Sequence, residues 1–457
     1  MDGDLENANR EGLVGYIKEL LGDIAALEAR VAELEAQNEQ LRQQLGKKQP
    51  PHWAKPNRPQ PSEPRFLRRK RAPEHNRGRR REEPTRIEYH ALEHCPECSY
   101  RLRGESVDYV RQVVEIPEPA PVEVVEHRVL KRYCPHCEQW RSPKLDLVGQ
   151  VLGQGRMGVR LISLIAYLRN GRRYTIEAIQ EYLRTIHRLS IARGEVVELL
   201  HQVRRSQEPA VEGLKEQARA SPILHGDETG WRENGRNGYI WGFFTPEGVR
   251  YYEYDRSRGQ VVPKRILGGK VAGHLVTDFY ASYNDIVGNH QRCWAHLLRD
   301  LHDLKEAHPQ EEEVLGWAGA VRKLYDEAQD WLQANPEPRS EEREGKYVGL
   351  VERIHQLGLQ YAQVKHPCRA LAKRILRHEP ELFQFVLVAG LSANNNLAER
   401  SLRPLVVIRK ISGGSRSDEG TKTRMALASL FETWRAQGLN SFVECFKLLS
   451  QPSPAPT

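Results

Sequence analysis

The chain has no apolar run of the roughly 20 residues that a membrane-spanning helix needs. A helical membrane protein is thereby excluded. Its first residues, MDGDLENANREG, lack both the basic start and the apolar stretch of a secretory leader. The expectation is a soluble, cytoplasmic protein with no membrane partner. Cysteine is sparse, seven in 457 residues, and four of the seven sit in two Cys-Pro-x-Cys pairs. That usage speaks for metal binding and packing, not a disulfide framework. Acidic residues are almost missing from Arg65 to Arg81, where Glu74 stands alone. The net charge of +8 is moderate, but it comes in blocks, which favours a polyanionic partner, nucleic acid first.

What is present is modular, as the length itself predicts, since domains usually run to about 100–200 residues. Between Leu13 and Leu45 apolar residues recur every three or four positions: Leu13, Leu20, Leu27, Leu34 and Leu41 share heptad position d, and Ile17, Ile24, Val31, Asn38 and Leu45 position a. β-branched residues at a, Leu at d and one buried Asn favour a parallel two-stranded coiled coil. Residues 1–48 are read as a dimerisation segment. Residues 49–86, rich in Pro and Arg, form an extended linker with too little apolar content for a core. Its Arg68, Arg69, Lys70, Arg71, Arg79, Arg80 and Arg81 can neutralise DNA phosphates without reading sequence, the alternative being a solvated tether.

Cys95-Pro-Glu-Cys98 and Cys134-Pro-His-Cys137 follow, separated by the strand-like segments DYVRQVVEIP and VEVVEHRVLKRYC. Four thiolates suit a tetrahedral structural zinc, so residues 87–145 are read as a zinc-ribbon-like domain. Residues 146–218 look helical. Thr175 and Ser190 are candidate N-caps, and the tight connection between their helices admits either a helix-turn-helix or helices that only pack.

Beyond Ser221 the period changes to that of strands. SPILHGD reads as a strand ending at Asp227, GYIWGFFT and VRYYEYD as a hairpin around Pro246-Glu247-Gly248, GHLVTDFYASYN as a strand stopping at Asp278, and NHQRCWAH as a fifth. Two strands that end in Asp can set both carboxylates at one sheet edge, where hard oxygen ligands suit divalent cations bridging a phosphodiester. Glu399, in the helical NNNLAERSLRPLVVIRK, is the candidate third acid, with Arg400, Arg403, Arg409 and Lys410 to hold DNA phosphates. Each acid alone has a blander reading as a cap, a helix start or a surface ion pair.

The joint pattern resembles the insertion sequence 66 family of bacterial transposases, within the DDE enzymes of ribonuclease-H-like fold. The likeness is carried by DETGW (227–231), RSRG (256–259), TDFYASYN (277–284), CWAHLLRD (293–300), LYDEA (324–328), NNLAERSLRPL (395–405) and ASLFETWRAQGLN (428–440). It implies a multidomain α/β protein: coiled coil, zinc-ribbon-like domain, helical DNA-binding segment, and a ribonuclease-H-like core at 219–295 and 385–450, interrupted by an α-helical insertion at 296–384, with a short tail at 451–457. It further implies that Asp227, Asp278 and Glu399 form a DDE triad holding Mg2+ (or Mn2+) beside the structural Zn2+. Arg258, in RSRG, joins the residues expected to bind DNA. Cys293 and His296 match a Cys-x-x-His element seen after the second Asp in related families. Two ligands do not close a zinc site, so the pair is read as support beside the pocket, or as a packed histidine.

The implied function is a DNA transposase that cuts element ends and joins 3′-hydroxyls to target DNA. Its expected partners are the terminal inverted repeats, the target, a second copy of the chain through the coiled coil, and small accessory proteins of the element. The expected location is the bacterial cytoplasm, at the nucleoid. One residue departs from the family pattern: Asn394 stands where Asp is common. A catalytically weakened end-binding protein or regulator is therefore the alternative, and a nuclease that hydrolyses without joining is a third class.

Overall fold

The computed structural model describes residues 10–44, 82–116 and 118–451 and divides into two compact units, residues 1–116 and 117–457. Most of the basic linker, including Arg68, Arg69, Lys70, Arg71, Arg79, Arg80 and Arg81, lies outside the described residues, as does the tail after Gln451.

In the first unit, α1 (Arg10–Gln44) is a single helix of 35 residues. Leu20, Ile24, Leu27, Val31 and Leu34 are all exposed, so no described part of the chain covers the heptad seam. The first cysteine pair forms a tight turn: the Ser99 N–H donates to the Cys95 carbonyl (2.8 Å), and His94 bridges Arg101. Ser99, one place after the second cysteine, has φ 55°.

In the second unit, Cys134 and Cys137 repeat that design between β1 (Arg132–Cys134) and β2 (Gln139–Arg141), with Glu138 at φ 50°. The longer strands expected in DYVRQVVEIP and VEVVEHRVLKRYC do not form among the described residues, apart from the last three residues of the second segment. Val110, Val113, Val114, Val124 and Val125 are exposed, and a strand pattern without a partner ladder has nothing to bury against.

Four helices follow: α2 (Val159–Ala166), extended by a π-helical turn at Tyr167–Gly171, then α3 (Ile176–His187), α4 (Arg193–Ser206) and α5 (Glu208–Ala220). The Thr175 hydroxyl accepts from the Ala178 N–H and caps α3 as its sequence predicts. Ser190 does not cap α4, which begins after Ala192; Arg188 leaves α3 in the left-handed region and uses up the intervening residues in the turn.

The central sheet holds β3 (Ile223–Glu233), β4 (Arg236–Phe244), β5 (Arg250–Asp255), β6 (Lys270–Thr277) and β7 (Val287–Arg292), with α6 (Val261–Leu267) between β5 and β6. Its order is β5-β4-β3-β6-β7. The first three strands are antiparallel, and β6 and β7 run parallel to β3. The first strand does not stop at Asp227 but continues to Glu233, paired with β4 all the way to Glu233 opposite Arg236. The cause is the Asn234-Gly235 turn, both residues with positive φ (48° and 73°), which closes a two-residue hairpin between β3 and β4. The fifth strand, by contrast, ends earlier, at Arg292, and Cys293 stands at the N-cap position of a helix instead of extending the strand.

Five helices succeed the sheet: α7 (Trp294–Ala307), α8 (Glu312–Ala334), α9 (Ser340–Ala362), α10 (Arg369–Leu382) and the short α11 (Gln384–Leu387). They share an apolar core that includes Trp294, Val321, Ile354, Ile375 and Phe383. The chain then returns to the sheet as α12 (Asn396–Ser412), α13 (Asp418–Ala436) and α14 (Ser441–Ser450). Both sheet faces are covered. Leu224, Trp241 and Phe243 pack among α2 to α6, α13 and α14, while Trp231, Ile240 and Phe244 pack against Ala398, Leu402 and Leu405 of α12 and against α13. Gly242 permits this approach: a Cβ there would lie 3.2 Å from Leu402 Cδ2 and 2.2 Å from the Phe244 ring. Among the described residues no helix is long and apolar enough to cross a membrane.

Candidate active site

The last parallel pair between β3 and β6 is His225 with Val276. Asp227, inside β3, and Asp278, just past the end of β6, each lie two residues beyond it. Below this level β3 is flanked on both sides; above it only β4 remains, and the gap admits the start of α12 with Glu399 in its first turn. The three predicted acids thus lie near one sheet edge, close enough for the charges of Asp278 and Glu399 to act on Asp227.

Their electrostatics bear the mark of that proximity. Burial, reinforced by the charges of Glu228, Asp278 and Glu399, raises the Asp227 pKa from its usual 3.8 to about 8. Only the adjacent Glu228 N–H, bonded to Asp227 Oδ1 at 2.8 Å, pulls it back. Asp278 Oδ1 accepts from the Tyr280 N–H (2.9 Å), a local turn that fixes the carboxylate at the strand end.

Glu228 faces the opposite side of the sheet, as strand alternation requires. Its side chain is 2% exposed. Both oxygens are committed: Oε1 accepts from Arg258 Nη2 (2.7 Å) and Nε (3.0 Å), and Oε2 from the Tyr283 hydroxyl (2.7 Å). Arg258 also lies over the Tyr280 ring, 4.0 Å from its centroid. This arginine, expected at DNA, joins the loop after β5 to the loop after Asp278, and Tyr280 and Ser282 donate to its carbonyl.

His296, in the first turn of α7, places Nε2 3.9 Å from Glu399 Oε1, and its buried Nδ1 has no partner among the described residues. Cys293 is buried, and its sulfur accepts from the Asn395 N–H (3.1 Å). Arg400, Arg403 and Lys410 are exposed along α12 with no ion pair among the described residues, whereas Arg409 turns inward and donates to Thr229 Oγ1 and the Gly230 carbonyl. Asn394 forms a local turn, its Oδ1 accepting from the Asn396 N–H (3.2 Å).

Three supports escaped the sequence. Arg292, at the end of β7 and 1% exposed, donates to the Asp278 carbonyl (3.0 Å), Thr277 Oγ1 (3.2 Å) and Asn284 Oδ1 (2.8 Å), and pairs with Glu381. Asn395 and His225 bond each other across the gap between α12 and β3. None of these pairs is near in sequence, and no spacing rule would have joined them.

The donor set of Asp227, Asp278 and Glu399 consists of hard carboxylate oxygens, with mutual repulsion that a divalent cation would relieve, so the residues fit magnesium or manganese. Each Cys-Pro-x-Cys turn aims backbone N–H groups at its first sulfur. Hydrogen bonds from Cys98 and Glu97 lower the Cys95 pKa, and those from Cys137 and His136 lower that of Cys134, so both thiols are biased toward the thiolate that zinc requires. Among the described residues no three His, Cys, Asp or Glu side chains gather closely enough to close around an ion.

Two curated relatives from Sinorhizobium fredii are similar to parts of the chain. "Uncharacterized protein y4jO" is 27% identical over 195 residues, 41% of this chain and 58% of that protein. "Uncharacterized protein y4qI" is 24% identical over 203 residues, 41% of this chain and 37% of that one. The match therefore spans less than two thirds of either relative. A solved cryo-EM structure, the simian T-cell lymphotropic virus intasome in complex with PP2A regulatory subunit B56 gamma, aligns with 34% of this chain and 66% of that chain at 13% identity. Its TM-score of 0.13 is too low to establish a shared fold. The model of the "zinc-finger binding domain of transposase IS66" matches residues 93–138, which include all four paired cysteines. The model of the "Transposase IS66 family" matches residues 154–423, more than half of the chain and all three acids, and the chain belongs to that family.

Proposed function

We propose that the protein is the DNA transposase of an insertion sequence, cutting element ends and joining the freed 3′-hydroxyls to target DNA by DDE chemistry. The observation that carries this reading is the convergence of Asp227, Asp278 and Glu399, from three separate elements, at the point where β3 loses its parallel partner. The strand order, three antiparallel strands extended by two parallel ones on the side of the first, supports a ribonuclease-H-like core at 219–295 and 385–450 around a helical insertion at 296–384.

Asp227, Asp278 and Glu399 would hold the magnesium or manganese, which when bound activates the attacking water or 3′-hydroxyl and stabilises the leaving oxygen. The chain itself positions the rest. Tyr280 and Arg292 fix the Asp278 segment, Arg258 and Tyr283 keep Glu228 out of the site, and His296 stands beside Glu399. Arg400, Arg403 and Lys410 form an exposed basic stripe beside the acids, suited to DNA phosphates. With the basic linker, the zinc-binding segment at 87–145 and the helices of 146–218, they would hold the inverted repeats, while Arg258 and Arg409 act from behind as braces. Cys95, Cys98, Cys134 and Cys137 would hold a structural zinc. The uncovered seam of α1 fits a second copy of the chain, giving a dimer or higher assembly.

Asn394 supports an active protein over a weakened end-binding regulator. Its part is a turn that needs only a side-chain oxygen, which Asn supplies as well as Asp. A strand-transfer assay with Asp278→Asn tests the reading. Joined products should vanish while repeat binding persists; joining at the wild-type level would overturn the proposal.

A further inference from the structure

Asn395 precedes α12 at its N-cap position, 1% exposed, yet its side chain does not cap the helix. The amide instead crosses to β3. Nδ2 donates to the Gly226 carbonyl (2.8 Å), and Oδ1 accepts from His225 Nδ1 at 3.0 Å. Because the amide nitrogen is engaged with a carbonyl, the atom facing His225 is the oxygen, and the imidazole must carry its proton on Nδ1. The backbone of Asn395 is also spoken for: its N–H donates to Cys293 Sγ (3.1 Å), and its carbonyl accepts from the Glu399 N–H (3.2 Å).

These bonds reach all three acids. Gly226 immediately precedes Asp227. Cys293, through its own N–H, bonds the carbonyl of Thr277 (2.8 Å), which immediately precedes Asp278. Glu399 is bonded directly. Each acid is therefore one hydrogen bond and at most one peptide unit away from the Asn395–Cys293 pair. The far end of α12 is anchored separately, by Ser415 to Arg232 and Asn234 beyond the middle of β3, so a loss at Asn395 frees only the end that bears Glu399.

We infer that Asn395 is the positioning residue that sets Glu399 against the two aspartates, with Cys293 as its link to Asp278. The inference rests on the assignment of the three acids as the metal-holding set. Asp has no N–H for Gly226, Ser is too short to reach both partners, and Ala leaves a buried imidazole N–H and a buried carbonyl unpaired.

The test compares the full-length protein with Asn395→Ala, Asn395→Asp and Leu350→Ala, the last a cavity in α9, remote in sequence from Asn395, chosen to lower the unfolding temperature to a similar degree. Hydrogen exchange reads position without reference to metal, and electron paramagnetic resonance reads Mn2+ binding without reference to activity. Both Asn395 variants should lose amide protection at 394–400 and at the start of α7 and bind Mn2+ roughly tenfold or more weakly, as loss of a supporting hydrogen bond at a metal site does. Leu350→Ala should change neither. Unchanged protection in the Asn395 variants overturns the positioning role, and lost protection with unchanged Mn2+ affinity overturns its link to the acids. If Glu399→Gln binds Mn2+ as well as wild type does, the metal assignment fails, and the exchange result alone then decides whether Asn395 holds the helix.

Discussion

Glu381 lies outside the three acids, yet the structure makes its loss expensive in a calculable way. Burial opposes its ionisation, but the hydrogen bond from His378 and the charge and hydrogen bond of Arg292 outweigh burial and hold its pKa at about 2 against the usual 4.5. At about 1.4 kcal/mol per unit, that difference is worth roughly 3 kcal/mol. The folded-state pKa is depressed, so the contribution is fully present above pH 4.5 and disappears as pH falls from 4.5 through 2. A second route agrees: removing one partner of a buried ion pair costs about 3–5 kcal/mol because the other charge stays buried, and Arg292 is 1% exposed. Glu381→Gln should therefore lose about 3 kcal/mol at pH 7 in urea unfolding followed by tryptophan fluorescence, and the deficit should more than halve by pH 3. The variant should also join DNA more slowly, since Arg292 holds the Asp278 carbonyl. A deficit below about 1 kcal/mol, or one that ignores pH, would refute the argument.

Asp227 has the opposite sign. With its pKa raised to about 8, the folded protein binds a proton the unfolded chain does not between about pH 4 and 8, so divalent-free stability falls as pH rises through that window. In EDTA at pH 8, Asp227→Asn should unfold at a higher temperature than wild type, with the gap closing toward pH 4; a constant gap would count against it. Arg409→Gln should lower stability by about 1–2 kcal/mol with little change in the salt dependence of DNA binding, since its guanidinium is turned onto β3. Lys410→Gln should do the reverse, flattening the salt slope by about one unit; equal slopes for the two variants would remove the distinction. Cys134→Ser should reduce zinc measured by atomic emission on the purified protein; unchanged stoichiometry would show that this cysteine is not a ligand.

The sequence made legible those features whose evidence is local. Thr175 caps α3 because its hydroxyl needs only the residues that follow it, and the Pro246-Glu247-Gly248 turn joins β4 to β5 because hairpins are specified at short range. Asp278 and Glu399 were readable as single candidates because the end of a strand pattern and helix periodicity fix where each lies along its own element, whereas Asp227, expected at a strand end, lies inside β3. The end of β3 is misplaced in the sequence because Asp227 to Gly230 are polar or small and only half-buried, so alternation fades there, and the Asn234-Gly235 turn sets the true end. The bracing residues were illegible for a different reason. Arg292 with Glu381 and Asn395 with His225 are contacts between distant segments, visible only once α10 packs on β7 and α12 on β3. Within the run Asn394-Asn395-Asn396 nothing local distinguishes the buried Asn395 from its neighbours.

The central claim is that three carboxylates brought together at the edge of β3 cut and join DNA. The most direct measurement uses labelled DNA carrying the inverted repeats that flank the gene, incubated with Mg2+ and either wild-type protein or Glu399→Gln, with 3′ ends and joined products mapped to the nucleotide. The account predicts cleavage at the repeat tips and joining to target by the wild type, and neither by the variant, while both bind the repeats equally. Cleavage and joining by Glu399→Gln at the wild-type rate would contradict it.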